Sequence, residues 1–358
     1  MHTDIATFCV SITSTIRQAV SCIDANRFGI VLIVSEQGTL EGTITDGDVR
    51  RAMLADVDLS SSVTVVLARK AGTKYARPIS TTNTTDPASY LGLLTEHNIL
   101  HLPVVDESDK VVGLITKEEY FPLGVFPVQA VIMAGGAGTR LAPLTHTTPK
   151  PMLHVGNRPL MEIIVGQLRD AGIRRVHVAT HHLPEKISDH FGDGQDFGVD
   201  MFYVTEDRPL GTAGALGLID SSQDPILVIN GDILTAVDFR SILAFHREQK
   251  ADLTVAVRQY DIQLPYGVVE CDGATVKGLT EKPLLKYFVN AGIYLLEPGV
   301  RAYIPNNEHF DMTELIQRLI DAGRPVASFP IREYWLDIGQ HTDYERAQEA
   351  VDVWKTSP

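Results

Sequence analysis

The chain has 358 residues, a length that suits two domains, and its 44% hydrophobic and 21% charged content is ordinary for chains that bury cores. A formal net charge of −14 argues against a general nucleic-acid binder or a partner of anionic membranes. Any phosphate-bearing ligand must therefore be met by local cations set against an unfavourable global field.

The chain opens polar and acidic, without a charged-then-apolar leader pattern, and no apolar run reaches the ~18 residues needed to cross a bilayer. The cysteines Cys9, Cys22 and Cys271 lack metal or paired spacing, and their odd number fits a reducing compartment. A soluble cytoplasmic protein is expected. The first third holds an internal repeat: Val34 and Val105 align at an offset of 71 (105 − 34), which also pairs Gly42 with Gly113, Ile44 with Ile115 and Thr45 with Thr116. Each copy reads as strand, polar turn, strand, preceded by a helical pattern: Ile16, Ala19, Val20 and Ile23 in one, Tyr90, Leu91, Leu93 and Leu94 in the other. Neither unit is large enough to bury its own face, so the two are expected to pack together.

This repeat resembles a tandem pair of cystathionine β-synthase (CBS) domains over residues 1–121, with repeats at about 10–60 and 75–120. The resemblance implies an adenine nucleotide between the repeats, held by the pattern Gly-x-apolar-Thr-x-x-Asp. Gly42, Ile44, Thr45 and Asp48 match it in the first repeat. The second keeps Thr116 but places Glu119 where the Asp belongs. A ligand-free dimerisation module is the alternative reading. Homodimerisation through the pair is expected either way, because outer helices of such pairs tend to present apolar faces.

Pro122, Gly124 and Pro127 mark a join, and a second domain follows over 127–358. Strands are predicted at 128–133, 175–179, 201–204, 226–229, 253–257 and 292–296, and helices at 160–171, 213–219, 239–249, 312–322 and 342–353. That alternation predicts an α/β, doubly wound, mostly parallel sheet with ligands at the carboxyl ends of its strands. Immediately after the first strand comes Met133-Ala-Gly-Gly-Ala-Gly-Thr-Arg-Leu-Ala-Pro-Leu-Thr-His-Thr-Thr-Pro-Lys-Pro151. Gly135, Gly136 and Gly138 remove side chains where backbone N–H groups can wrap phosphates, and Arg140 and Lys150 bring positive charge. No Gly-Lys-Ser/Thr closes the loop, and Leu141 stands where the third glycine of a dinucleotide fingerprint belongs.

This stretch resembles the signature of sugar-1-phosphate nucleotidyltransferases, and the later segments fall in that family's order. They are Leu210-Gly-Thr-Ala-Gly-Ala215, Asn230-Gly-Asp232, Glu281-Lys-Pro283, Asn290-Ala-Gly-Ile-Tyr294 and Trp335-Leu-Asp-Ile-Gly339. The resemblance implies a Rossmann-like nucleotidyltransferase fold that joins a nucleoside triphosphate to a sugar 1-phosphate with release of pyrophosphate. Positioning and charge neutralisation dominate such a transfer, and no protein nucleophile is required. By resemblance, Arg140 and the loop residues Ala134, Gly135, Gly136, Gly138 and Thr139 bind the triphosphate, and Lys150 bridges phosphates at the reacting centre. Gly211 and Thr212 let the base and ribose approach. Glu281, Lys282, Asn290 and Gly292 hold the sugar phosphate, and Asp232 and Asp337 hold Mg²⁺.

Aligned on Leu210-Gly-Thr, Glu206 falls where uridylyl- and thymidylyl-transferring relatives often place a glutamine. A carboxylate only accepts hydrogen bonds and guanine offers two donors, so Glu206 suits GTP, although some uridylyl enzymes also carry a glutamate there. The fused CBS pair resembles the guanylyltransferases of legionaminic-acid-type pathways, which implies glucosamine 1-phosphate. The alternatives are a uridylyl- or thymidylyltransferase, a heptose or mannose 1-phosphate guanylyltransferase, and a non-catalytic regulatory subunit. The regulatory subunit would have lost one or more of Arg140, Lys150, Asp232 and Asp337, and all four are present. His181 and His182 have no acidic or cysteine partners nearby in sequence, so zinc is not expected.

Overall fold

The computed structural model describes residues 1–82, 87–97, 99–117, 127–220 and 222–356, and the chain divides into two compact units, 1–124 and 125–358. Glu119, Pro122 and Gly124, read above as ligand and joint residues, lie outside the described residues.

The front unit repeats one small topology. β1 (Cys9–Ser11) runs parallel to β2 (Ile30–Val34), which pairs antiparallel with β3 (Leu40–Thr45); helix α1 (Ile16–Asn26) lies between β1 and β2 in sequence. After α2 (Asp46–Leu54) and α3 (Val63–Lys70), the pattern returns as β4 (Thr81–Thr82), α4 (Pro87–Glu96), β5 (His101–Val105) and β6 (Val111–Thr116). The 71-residue offset survives in detail. The β2–β3 ladder shifts register between Ile33 and Val34, and the β5–β6 ladder between Val104 and Val105 (104 − 33 = 71). Across the two copies, Leu40 N donates to Asp109 O at 3.0 Å and Val111 N donates to Gly38 O at 3.1 Å, a reciprocal pair related by the same offset. Each copy has its own apolar cluster, and Phe8, Ile30, Leu32, Val111 and Leu114 form a third that draws on both. This shared cluster is why neither half stands alone.

The expected ligand pair of the first repeat turns out to build a helix start. Thr45 is the N-cap of α2: its hydroxyl accepts from the Asp48 amide at 3.3 Å, while Asp48 Oδ2 accepts from the Thr45 amide at 2.9 Å. A Thr-x-x-acid spacing is itself a capping signal, so the motif carries two readings at once. Asp48 is also buried and ion-paired, with Lys70 Nζ at 2.8 Å and Arg51 Nη2 at 2.6 Å. Burial alone would raise its pKa, but Lys70, the Thr45 amide and Arg51 outweigh that and hold it below the ordinary carboxylate value. A ribose in this position must compete with Lys70 for the carboxylate. Thr116, the counterpart of Thr45 in the second repeat, is buried.

The back unit is built on one seven-stranded sheet. Its strands in sequence are β7 (Gln129–Ala134), β8 (Arg175–Thr180), β9 (Asp200–Thr205), β10 (Ile226–Asn230), β12 (Leu253–Gln263), β15 (Leu284–Leu296) and β16 (Val326–Ile331). Their spatial order is β9-β8-β7-β10-β15-β12-β16, and every neighbouring pair is parallel except the two made by β15. Helices α5 (Leu160–Asp170), α6 (Pro184–Phe191), α7 (Phe239–Gln249), α8 (Met312–Asp321) and α9 (His341–Thr356) alternate with them. Several elements depart from the sequence reading, among them α6, which was not predicted. The 213–219 helix is a four-residue turn, Gly211–Gly214, running into a 3-10 turn, Ala215–Leu218, because three glycines in seven residues weaken a longer helix. β16 was not predicted. The strand expected at 292–296 is the end of a thirteen-residue strand that returns from β12 through a long hairpin, so it runs antiparallel.

Because Asp48 is a buried anion with two cationic partners, Asp48→Ala is expected to destabilise the front unit by about 3 kcal/mol, the scale of breaking a buried pair. With its pKa depressed in the folded state, its contribution is present at neutral pH and is lost as pH falls below ~4. Urea unfolding of wild type and variant should therefore differ at pH 7 and converge under acid conditions.

Candidate active site

β7 ends at Ala134 and delivers the glycine loop to the carboxyl edge of the sheet. Gly138 adopts φ +64°, and a Cβ there would stand 2.8 Å from Thr145 Cγ2 and 3.2 Å from Lys150 Cβ. The loop is thus folded tightly over the segment that carries Lys150, and the Thr145 hydroxyl donates to Gly138 O at 2.9 Å. Leu141 is fully buried beneath it, which explains an apolar residue where a dinucleotide fingerprint has glycine.

The second structural joint is at Gly231. Its amide donates to Met133 O at 2.8 Å, and a Cβ on it would lie 2.9 Å from that same oxygen and 2.9 Å from Pro151 Cγ. Only glycine lets the end of β10 press against the end of β7 and the Pro-Lys-Pro segment. Asp232 follows. The short strand β11 (Ile233–Thr235) then pairs antiparallel with β17 (Trp335–Asp337), with Ile233 opposite Asp337. The amide of Ile338 donates to Asp232 O at 3.0 Å, and the Trp335 indole donates to Ala291 O at 2.8 Å, fixing β17 in place. Two acids 105 positions apart (337 − 232) are thereby brought side by side.

Lys150, buried, is ion-paired with Asp232. Burial and then the Asp232 charge raise the Asp337 carboxyl above its ordinary value, against the opposing pull of Lys150 and Arg140. Arg140 makes no hydrogen bond among the described residues, which leaves its guanidinium available to an incoming anion. A side chain at Gly339 would sit 3.8 Å from Arg140 Nη1, 3.8 Å from Asp337 Oδ1 and 3.6 Å from Asp343 Oδ2, so glycine keeps that space open. Gly136, Gly138, Thr139, Arg140, Leu141, Lys150, Asp232 and Gly339 line one cleft of about 200 Å³. Two cations, a backbone loop and two carboxylates on a strand edge can bind a polyphosphate and a hard divalent cation together. The adjacent acids fit Mg²⁺: they are oxygen donors whose mutual repulsion a single lysine charge does not cancel.

Glu206 is buried beside the start of the loop, where a Cβ on Gly135 would come within 3.3 Å of Glu206 Oε1. Its Oε2 accepts from the Leu210 amide at 2.7 Å, and its carbonyl oxygen is bonded by His181 Nδ1 at 2.9 Å. One carboxylate oxygen thus braces the following loop and the other faces the glycines. The expected base-approach glycines have a different neighbour. A Cβ on Gly211 would collide with Asp311 Oδ1 at 2.6 Å, and one on Gly214 with Glu308 O at 2.8 Å. Asp311 Oδ1 also accepts from the Thr212 amide at 3.1 Å and from its hydroxyl at 3.3 Å, so this loop is clamped to the start of α8. The nearby group His309, Asp311 and Glu314 is largely accounted for by the same clamp and by the α8 capping box.

Gly292, hydrogen-bonded to Asn290, stands against Asn230 at the end of β10. Gly292 has φ +70°, and a Cβ on it would meet Asn230 Nδ2 at 2.7 Å; its amide donates to Asn290 Oδ1 at 3.0 Å. Glu281 and Lys282 are exposed on the hairpin between β12 and β15, eight or more positions before Asn290 (290 − 282). Lys282 takes φ +46°, a strained backbone for a non-glycine residue, and its carbonyl accepts from Gln263 Nε2 at 2.9 Å. Asp343 and Gly339 were not singled out by role. Asp343 sits in the first turn of α9 and accepts from the Gln340 amide at 3.0 Å, a local capping signal that does not itself announce the active cleft.

The family model described as nucleotidyl transferase matches residues 129–352, and the CBS domain model matches residues 1–55 and 84–121. A UTP–glucose-1-phosphate uridylyltransferase of Synechocystis sp. is 35% identical over 245 residues, 63% of this chain and 63% of that protein. A mannose-1-phosphate guanylyltransferase of Mycobacterium tuberculosis is 34% identical over 227 residues, 61% of this chain and 63% of that protein. The chain thus spans less than two thirds of the length of these relatives. Among solved structures, a Bacillus anthracis protein described as a glucose-1-phosphate thymidylyltransferase superposes with TM-score 0.52 at 28% identity, over 62% of this chain and 94% of that one. No helix among the described residues is long and apolar enough to cross a membrane. With its glycine loop, its paired acids and a family match over most of its length, the chain belongs to the nucleotidyl transferase family and carries a CBS pair ahead of that domain.

Proposed function

We propose that the protein transfers a nucleoside monophosphate, GMP from GTP, to a sugar 1-phosphate, releasing pyrophosphate. The observation that carries this reading is the single cleft uniting the glycine loop, Arg140, Lys150 and Asp232, with Asp337 beside it. An oxygen of the sugar phosphate attacks the α-phosphorus, the bond to the bridging oxygen breaks, and pyrophosphate carries away the electron pair. Arg140 and the loop amides receive the charge that builds on the leaving group. Lys150 offsets the repulsion between the two approaching phosphates, and its ion pair with Asp232 fixes where its charge sits. Asp232 and Asp337 hold Mg²⁺, which when bound supplies charge neutralisation to the triphosphate. Asn290 and Gly292, beside Asn230, and Glu281 and Lys282, on the hairpin between β12 and β15, contact the sugar phosphate.

Glu206 supports guanine through its acceptor-only carboxylate next to Gly135, and the mannose-1-phosphate guanylyltransferase relatives agree with it. For the sugar we propose an aminohexose 1-phosphate, glucosamine 1-phosphate first. A second reading, uridylyl transfer to glucose 1-phosphate, draws on the Synechocystis relative. Pyrophosphate release measured for a panel of nucleoside triphosphates crossed with glucosamine, glucose and mannose 1-phosphates should give the highest kcat/KM for GTP with glucosamine 1-phosphate. A preference for UTP with glucose 1-phosphate selects the second reading, and no release with any pair refutes both.

Asp232→Ala and Asp337→Ala should each lower turnover by at least ~10²-fold, the scale of losing a major electrostatic contribution at the reacting centre. EDTA should abolish activity and added Mg²⁺ restore it; near wild-type rates in EDTA would remove the metal from the reaction. Glu206→Gln keeps an acceptor for the Leu210 amide and presents an amide donor to the base. It should reduce the GTP-to-UTP ratio of kcat/KM by at least ~10-fold, because guanine then meets a donor with a donor.

A further inference from the structure

β15 returns to the sheet from an exposed arm, which leaves β12 and continues through the strands β13 (Val268–Asp272) and β14 (Thr275–Thr280). It pairs with β10 only over Ile293–Leu296. Asn230 is the last residue of β10, at the carboxyl edge, one step beyond the Ile229–Ile293 pair. It shares a face with Val228 and Ile226, since side chains two apart in a strand point the same way. Val228, Ile226 and Tyr294 are buried in the apolar cluster of that face, and Met133, the β7 partner of Asn230 in register, packs against them. At Asn230 this apolar face turns polar. The residue is half-buried, and its Oδ1 is fully buried without a hydrogen-bond partner among the described residues. Its Nδ2 makes no hydrogen bond among them either.

An amide oxygen buried without a partner costs free energy, and folded chains hold few of them. This one is given room. A Cβ on Gly292 would stand 2.7 Å from Asn230 Nδ2 and 3.2 Å from its Cγ, so the glycine leaves space for the carboxamide. The neighbouring amide is already engaged: Asn290 Oδ1 accepts from the Gly292 amide at 3.0 Å, and the Asn290 side chain is hydrogen-bonded to Tyr294. The position narrows the ligand. Asn230 lies two residues before Asp232, which is ion-paired with Lys150 in the cleft. Glu206, proposed above to meet the base, comes in from the β8 side: its amide donates to Thr180 O at 3.0 Å, and its carboxylate faces Gly135. In the strand order β9-β8-β7-β10-β15, Glu206 and Asn230 are therefore on opposite sides of β7. A base on the β8 side and a reacting phosphorus at Lys150 leave the β10–β15 side for the sugar. An amide oxygen accepts, and a hexose ring offers hydroxyl and amino donors.

We propose that Asn230 selects the sugar: its Oδ1 accepts a hydrogen bond from one hydroxyl or amino group on the ring of the sugar 1-phosphate. This rests on the nucleotidyl transfer proposed above. Sugars that keep the donor are favoured, because an analogue without it leaves the buried oxygen unpaired. The test is a cycle between Asn230→Leu, which resembles the amide in shape, and the 2-, 3-, 4- and 6-deoxy analogues of the sugar 1-phosphate that the wild type uses best. The 2′- and 3′-deoxy forms of the preferred nucleoside triphosphate are run alongside. With the wild type, one deoxy sugar should lose at least ~10-fold in kcat/KM, the scale of leaving one buried acceptor unpaired. Asn230→Leu should show that loss with the parent sugar, and the same deoxy sugar should then cost it less than about 3-fold more. Its KM for the triphosphate should stay within about 2-fold of wild type. Thermal unfolding without substrates is a second readout that needs no activity. Freed of an unpaired amide, the variant should melt at the wild-type temperature or a few degrees above it, whereas loss of a structural asparagine lowers melting. Transfer by the wild type with no deoxy sugar coupled to Asn230, coupling to a deoxy triphosphate instead, or a variant that melts lower overturns this assignment alone. A wild type that transfers to no sugar 1-phosphate overturns it together with the transfer itself.

Discussion

The cleft depends on one short ladder, the pairing of Ile233 with Asp337. It holds Asp232 and Asp337 side by side in a partly buried setting, an arrangement that like charges oppose and that the Asp337 carboxyl registers as a raised pKa. Three features make it possible. Gly231 lets β10 close on β7, Trp335 anchors β17 through Ala291, and Lys150 places a cation against Asp232. The close approach demanded at Gly231 also sets the position of Pro151, and so of Lys150 beside it. Geometry and electrostatics at this edge are one constraint.

The loop clamps extend that logic. Gly138 folds over Thr145 and Lys150, Gly211 and Gly214 fold against residues 308–311, and Gly292 against Asn230. These glycines make room for other protein segments rather than for open solvent. The loops that line the cleft are therefore held from behind by neighbouring elements, which is what the proposed transfer, driven by positioning, needs. Glu206 joins the two halves of the arrangement, bracing Leu210 with one oxygen and facing Gly135 with the other.

The front unit shows how one motif serves two physical ends. Thr45 and Asp48 satisfy the helix start of α2 and, with Lys70 and Arg51, form a closed ion network. The repeat itself is symmetric down to its register shifts and its reciprocal hydrogen bonds at Leu40 and Val111.

Much of this was legible in the residues. The glycine loop after a buried apolar strand with Arg140 and Lys150 close by, the 71-residue repeat, and the alternation of strand and helix follow from local pattern, because loop chemistry and periodicity are short-range properties, whereas pairing Asp232 with Asp337 rested on the family resemblance. The antiparallel insertion of β15 and the arm before it were not. With both of its faces exposed, the arm lacks the clean alternation of apolar and polar residues that marks a half-buried strand. Nor could the residues alone say that Gly211 serves α8, that Asp48 is already paired with Lys70, or that Gly339 stands beside Arg140. Each of these is a contact between positions far apart in the chain, and only the closing of the sheet and its loops brings them together.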